Sequence, residues 1–268
     1  MSLVMDTSTF TKRELLACLL ARDLRDGDKL QVGVAMPVAE LAVRLAHLMH
    51  GPNMELIFFG GRMNVHHLEH IPIPDYAWDG RVVRWTESFS DRGHRFDRLK
   101  NWGNRVFFIG GIQVDRFGNT NLIGIGKDPS KLKFRGPGSV GTPTLSTHVG
   151  RYYIVLNDHH KRTLVDQCDY RSTVGWGNGG KEARKKLGLP GGGPKWCVTP
   201  LCVMDFEPSS KHMRLKSLHP GVSLEEVQDN TGFDLVIPEV FETTMPPTEN
   251  ELHILRERVD PAGILRKD

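Results

Sequence analysis

Apolar residues recur at helical spacing early in the chain. Leu15, Leu16, Leu19, Leu20 and Leu24 form one set, and Val38, Leu41, Ala42, Leu45, Leu48 and Met49 a second; each set lines one face of a helix. Thr11 with Glu14 has the capping-box pattern ahead of the first, with Gly27 as its stop, and Pro37 opens the second before Gly51-Pro52 ends it. Lys29 to Val34 and Met54 to Phe59 read as strands, so strand, helix and strand predict a parallel unit with a right-handed crossover. From Arg62 to Asn104 the pattern loosens into an irregular excursion. Strands are expected again at Arg105 to Gly110, Tyr152 to Leu156, Val198 to Phe206 and Met213 to Leu218, joined by turns rather than long helices. Ser223 with Glu226, and Pro246-Pro247-Thr248 with Glu251, mark two late capped helices, the second ending near Asp260-Pro261. The expected fold class is α/β: an open, mainly parallel sheet with helices on both faces, extra antiparallel strands and a C-terminal helical arm. One domain over 1–235 and an extension over 236–268, packing on the domain or on a partner, is the simplest organisation.

With 39% hydrophobic residues, the 268-residue chain can bury an ordinary globular core. Its 35 Lys and Arg against 32 Asp and Glu leave +3, too small a surplus to make nucleic acid the main partner. Cys18, Cys168, Cys197 and Cys202 form no CxxC pair, which points to reduced thiols in a cytoplasmic protein and away from zinc. No apolar run approaches the roughly 18 residues of a membrane span, and no signal-peptide pattern opens the chain.

Gly110 to Gly141 lays glycine turns between strand-like runs where backbone can come close to a ligand. Gly136, Gly138 and Gly141 are expected to offer bare amide N–H groups to an oxyanion or phosphate. The same residues satisfy GxGxxG, but only about ten residues separate Gly141 from the next strand, barely a crossover, which disfavours a dinucleotide site. His66, Glu69 and His70 form HxxEH, yet Ile71-Pro72-Ile73-Pro74 leaves too little helix for a zinc site. His159 and His160 read as surface or hydrogen-bonded histidines, and no cysteine carries a nucleophile motif. Lys181 to Lys195 reads as a mobile basic insertion. Three glycine clusters each follow an expected strand: Gly33, Gly60-Gly61 and Gly136 to Gly141. In an open α/β sheet they could line one crevice beyond the strand ends.

Several segments together carry a family resemblance: Gly27-Asp28-Lys29 through Pro37, Gly51-Pro52-Asn53, QVDRFGNTN at 113–121, RGPGSVG at 135–141, HKR at 160–162, Ser217 to Leu235 and the tail from Pro246. In their order and spacing the chain resembles the β-type subunit of class I coenzyme A transferases, nearest the glutaconate CoA-transferase group. It also resembles the β subunit of the cholesterol ring-cleaving hydrolase. This resemblance implies an α-type partner subunit, an α2β2 or larger assembly, and an acyl-CoA thioester bound as substrate, with no permanently held cofactor. It implies coenzyme A contacts from Gly33, Ala35, Gly136, Gly138, Ser139, Val140 and Gly141, and an oxyanion or substrate site near Phe59, Gly60, Gly61 and Asn119. The thioester-attacking glutamate of the transferases falls at Phe59, which has no atom able to displace a thiol. Glu55, four residues earlier, lies about 13 Å away at roughly 3.3 Å per residue. The resemblance therefore implies that the reacting carboxylate comes from Glu87, Asp115 or the partner, or is absent; it favours hydrolase-type chemistry on a ring-bearing acyl group, with a CoA-transferase using another carboxylate and a noncatalytic binding or assembly subunit as the alternatives.

Overall fold

The computed structural model describes residues 10–33, 35–57, 62–65, 86–89 and 102–267, and the protein divides into two compact units, 1–101 with 245–268, and 102–244. The first unit begins with α1 (Lys12–Asp23), opened by the expected capping box: Thr11 Oγ1 accepts from Glu14 N–H while Glu14 accepts from Thr11 N–H. Its apolar face is buried, and the helix ends ahead of Gly27 because Leu24 is already extended. β1 (Lys29–Val32), α2 (Pro37–Met49) and β2 (Glu55–Ile57) follow, and β1 pairs with β2 in parallel, Leu30 opposite Leu56. Pro37 sits in the first turn of α2, where its missing N–H costs nothing. The turns before the two strands are stitched together, since Asn53 donates its backbone N–H and its side-chain amide to Asp26, and Glu55 N–H donates to the Asp28 carbonyl. β3 (Arg62–Val65) and β4 (Thr86–Phe89) pair antiparallel within the excursion.

The tail belongs to this unit. Thr248 and Glu251 form the second capping box, opening a helix over Glu249–Ile254 that continues through a π-helical turn over Leu255–Val259. Glu251 also takes a bidentate pair from Arg22, and Arg256 returns one to Glu14 at 2.8 and 3.0 Å. Burial pushes the Glu14 and Glu251 carboxyls upward, but these arginines and the capping N–H groups more than offset it, so both titrate below the usual carboxylate range.

In the second unit the sheet runs β15-β14-β13-β12-β10-β5, built from β5 (Arg105–Ile109), β10 (Arg151–Val155), β12 (Pro194–Val198), β13 (Cys202–Phe206), β14 (Met213–Leu218) and β15 (Glu242–Thr243). β10 is parallel to both β5 and β12, whereas β13 is antiparallel to β12 and β14. The α/β class expected from the pattern is the one observed, with a mixed sheet. Val198 to Phe206 is not one strand: Pro200 carries no N–H for a ladder, and the Thr199 hydroxyl accepts from Leu201 and Cys202 N–H to turn the chain between β12 and β13.

The same turn anchors buried histidines. His159 is 8% exposed, with Nδ1 2.8 Å from Thr199 Oγ1 and Nε2 3.0 Å from Thr231 Oγ1. His219 donates from Nε2 to the Thr199 carbonyl, so its Nδ1 accepts from the Thr244 hydroxyl. Burial is the main reason the His159 pKa is pushed down to about 4, against a smaller opposing pull from Asp158. Unfolding returns it to the ordinary value near 6.5. Between those limits the unfolded chain binds the extra proton, so stability is lost as pH falls from about 6.5 to 4 and is flat below. Urea unfolding at pH 7 and pH 4 should show the parent losing about 3 kcal/mol more than His159→Gln. Equal losses in the two proteins would remove His159 from the account.

All four cysteines are buried and unpaired, and burial lifts their pKa values, Cys18 and Cys202 to about 12. None is a thiolate poised for attack. Among the described residues no helix is long and apolar enough to cross a membrane, and no cluster of His, Cys, Asp and Glu could hold a metal ion.

Candidate functional site

Between β5 and β10 the second unit carries β6 (Gln113–Asp115), β7 (Thr120–Asn121), β8 (Gly124–Ile125), β9 (Phe134–Arg135) and α3 (Thr142–His148). β6 and β7 pair antiparallel around the turn Asp115 to Asn119. Asp115 is 1% exposed, and its carboxylate accepts from Phe117 N–H, Asn119 N–H and the Asn119 amide. Burial raises its pKa despite those bonds. The carboxylate is committed inside the fold and cannot reach a thioester. Asn119 is fully buried, with both amide protons donated to Asp115 and the Gly177 carbonyl and its oxygen accepting from Gly175 N–H. It joins the 115–119 turn to the 175–177 segment.

Most of the other segments that carried the resemblance are likewise spent on internal bonding. Asn121 bonds Gln113 and the Gly124 carbonyl, the His160 ring accepts from Arg162 N–H, and the Ser223 hydroxyl caps the helix Leu224–Asn230. Glu55 is held by Lys29 Nζ at 2.6 Å. Two segments differ. At Val32 to Pro37, Gly33 follows β1 and Ala35 is exposed at φ +54, just ahead of α2. At Gly136 to Gly141, Val140 is 68% exposed at φ +49. A left-handed β-branched residue stores strain of about 1–3 kcal/mol, and such strain gathers at ligand sites. Among the described residues Lys211 is the one other non-glycine at positive φ.

The amides of the second loop are distributed differently from the expectation. Gly136 N–H and Gly138 N–H are not bare, because they donate to the Ile123 and Leu122 carbonyls and continue the β8–β9 ladder. The unpartnered N–H groups are the consecutive ones of Ser139, Val140 and Gly141, and the Ser139 hydroxyl is also unbonded among the described residues. Three successive N–H groups beside left-handed backbone at Gly138 (φ +88) and Val140 are the backbone pattern from which an anion-binding nest is made. Gly136 serves packing, since a Cβ there would sit 2.3 Å from the Leu122 carbonyl oxygen. The GxGxxG of this loop follows an antiparallel ribbon rather than a parallel strand, and the seven-residue α3 follows it, unlike a dinucleotide fold.

Phe59, Gly60, Gly61, His66, Glu69 and His70 lie outside the described residues, as does the side chain of Glu87. The segment 181–195 is no loose insertion. Arg184 is 4% exposed and spends all five N–H donors on carbonyls: Gly191 from Nε, Val174 and Gly175 from Nη1, Ser146 and Thr147 from Nη2. Gly191 and Gly192 N–H add bonds to the Thr147 and Val149 carbonyls at the end of α3. Nothing in the sequence marks Arg184, because its partners are backbone oxygens from three separate segments.

The α/β sheet and the strained glycine loop with its three consecutive free amides place the chain among α/β proteins with a backbone-lined loop. Residues 96–230 match the Coenzyme A transferase family, and this chain belongs to that family of enzymes. It is similar to a 3-oxoadipate CoA-transferase subunit of Pseudomonas knackmussii, 37% identical over 93% of both chains. It is also similar to the cholesterol ring-cleaving hydrolase IpdB subunit of Mycobacterium tuberculosis, 29% identical over 95% of this chain and 96% of the relative. Among solved structures, glutaconate coenzyme A-transferase from Acidaminococcus fermentans superposes with a TM-score of 0.87 and 28% identity, covering 98% of this chain and 100% of that one.

Proposed function

We propose that this chain is the β-type subunit of a heteromeric enzyme that processes an acyl-CoA thioester bound where it meets an α-type subunit. The observation that carries this reading is the nest of free N–H groups at Ser139, Val140 and Gly141 beside a strained, exposed Val140. Such donors stabilise an oxyanion without reorganising, an effect worth about a hundredfold or more in rate per donor. Coenzyme A enters and leaves as substrate rather than staying as a cofactor.

The chain supplies the oxyanion donors, and the partner supplies the carboxylate. Phenylalanine stands at position 59, where the transferases of the resemblance carry their glutamate; Asp115 is locked in its turn and Glu55 is paired with Lys29. A partner carboxylate acting as general base would take a proton from water, whose oxygen adds to the acyl substrate's ring carbonyl as the negative charge collects at the nest. The likeness to the ring-cleaving hydrolase supports this chemistry over transfer. The 37% identity to a 3-oxoadipate CoA-transferase polypeptide supports a second reading, a transferase whose reacting carboxylate lies elsewhere.

The assembled enzyme should turn over an acyl-CoA without forming a borohydride-trappable glutamyl-CoA adduct on this chain. Purification with its α-type partner, incubation with a panel of acyl-CoA esters, borohydride treatment and peptide mass mapping test this. An adduct on this chain would establish the transferase reading, and absence of turnover across the panel would leave an assembly role without chemistry.

A further inference from the structure

The hairpin ahead of the nest has a charge pattern that the thioester chemistry does not use. Lys127, Lys131, Lys133 and Arg135 stand on or beside β8 and β9, all exposed, with Asp128 the one acid between them. This short segment carries a positive surplus as large as that of the whole chain. None of the four forms an ion pair among the described residues. The acids near them are otherwise engaged: Asp128 accepts from the backbone and hydroxyl of Ser130, and Asp169 from Gly126 N–H at 2.8 Å.

The hairpin is also built rather than slack. Gly124 pairs with Arg135 and Ile125 with Phe134, Lys133 N–H donates to the Ile125 carbonyl, and Lys131 N–H closes the turn on the Asp128 carbonyl. A Cβ at Gly124 would meet the Phe134 carbonyl oxygen at 2.6 Å, so the two arms are closely packed. Hydrogen bonding across the ribbon goes on past the ladder, from Gly136 N–H to the Ile123 carbonyl and, one residue out of register, from Gly138 N–H to the Leu122 carbonyl. From Gly136 back to the turn is six residues, of which Phe134 and Arg135 lie in β9 while Lys131 and Lys133 sit in bends, so the span is shorter than the about 20 Å of a fully extended segment at roughly 3.3 Å per residue. The cations thus lead back from the nest along one arm of the hairpin.

We propose that this hairpin holds the phosphorylated nucleotide end of coenzyme A, with Lys131, Lys133 and Arg135 meeting its phosphates while the pantetheine arm runs back to the nest. The inference rests on the reading above and adds the half of the substrate that reading leaves without contacts. Exposed cations act on a polyphosphate through charge, so salt weakens them, whereas the neutral pantetheine arm is indifferent to both salt and charge removal.

The test is Lys131→Gln with Lys133→Gln and Arg135→Gln in the full chain with its α-type partner, titrated calorimetrically with coenzyme A, 3′-dephospho-CoA, ADP and an acyl-pantetheine. Coenzyme A should bind the triple variant roughly tenfold or more weakly, 3′-dephospho-CoA and ADP should show smaller losses, and acyl-pantetheine should be unchanged. Raising salt should weaken the parent toward the variant. Coenzyme A affinity equal in parent and variant overturns the hairpin assignment while leaving the acyl-CoA reading intact. An equal loss for acyl-pantetheine overturns it too, because the effect would not belong to the nucleotide. A parent assembly that binds no coenzyme A and turns over no acyl-CoA removes the acyl-CoA reading itself, and the hairpin role with it.

Discussion

Replacing Arg184 with methionine is expected to lower the unfolding free energy by about 3–5 kcal/mol. The guanidinium is buried against five carbonyl oxygens with no carboxylate among its hydrogen-bond partners, so its charge is balanced by backbone dipoles. After the substitution the Thr147 oxygen keeps Gly191 N–H and the Val174 oxygen keeps the Tyr152 hydroxyl, while those of Ser146, Gly175 and Gly191 are left without another donor among the described residues. Each unsatisfied buried acceptor costs about 1–3 kcal/mol before relaxation. Lysine should recover less than half of the loss, because three donors on one nitrogen cannot serve five oxygens spread around a planar fork. Urea unfolding of the three proteins measures this, and a loss under about 1 kcal/mol in the methionine variant would mean that the clamp is ornamental.

Substitution of valine at Gly138 or at Gly141 is expected to reduce kcat/KM for an acyl-CoA about a hundredfold or more, the scale of losing an oxyanion donor. The two positions fail for different reasons, which makes the pair informative. Gly141 has φ −97, which any residue adopts, so valine there adds bulk beside the nest with little backbone strain. Gly138 has φ +88 with nothing within 4 Å of a Cβ; valine would have room, but would bear about 1–2 kcal/mol of left-handed strain. Asparagine tolerates that backbone and should retain more activity at 138 than valine does. Circular dichroism and unfolding curves establish that both variants fold. Near-parent kcat/KM in both valine variants would take this loop out of the site.

Local rules read well where a residue's role is settled by its neighbours in the chain. Thr11 with Glu14, Thr248 with Glu251, and Pro37 at the head of α2 fall where the pattern puts them, because a cap needs only the next three or four residues. Val198 to Phe206 reads as one strand by its apolar run and folds as two, with Pro200 the visible warning. The amides of Gly136 and Gly138 depart from expectation for a reason no local rule contains: their acceptors, Ile123 and Leu122, lie more than ten residues back, across a ribbon. Asn119 has the chemistry of an oxyanion donor in the sequence, and the fold uses its amide as a buried clamp on Asp115 and Gly177.

Periodicity and capping residues determined by themselves that this is an α/β chain in which a first helix is followed by a parallel strand, helix and strand unit, and the order of its motifs determined the family, because both are properties of residue type and spacing along one dimension. Which glycine-loop amides remain free, which carboxylates are sealed in turns, and that a lone arginine locks a glycine-rich segment were decided only by the tertiary structure. A hydrogen bond is satisfied or left open by whatever atom arrives from a distant part of the chain, and spacing along the sequence carries no record of that arrival.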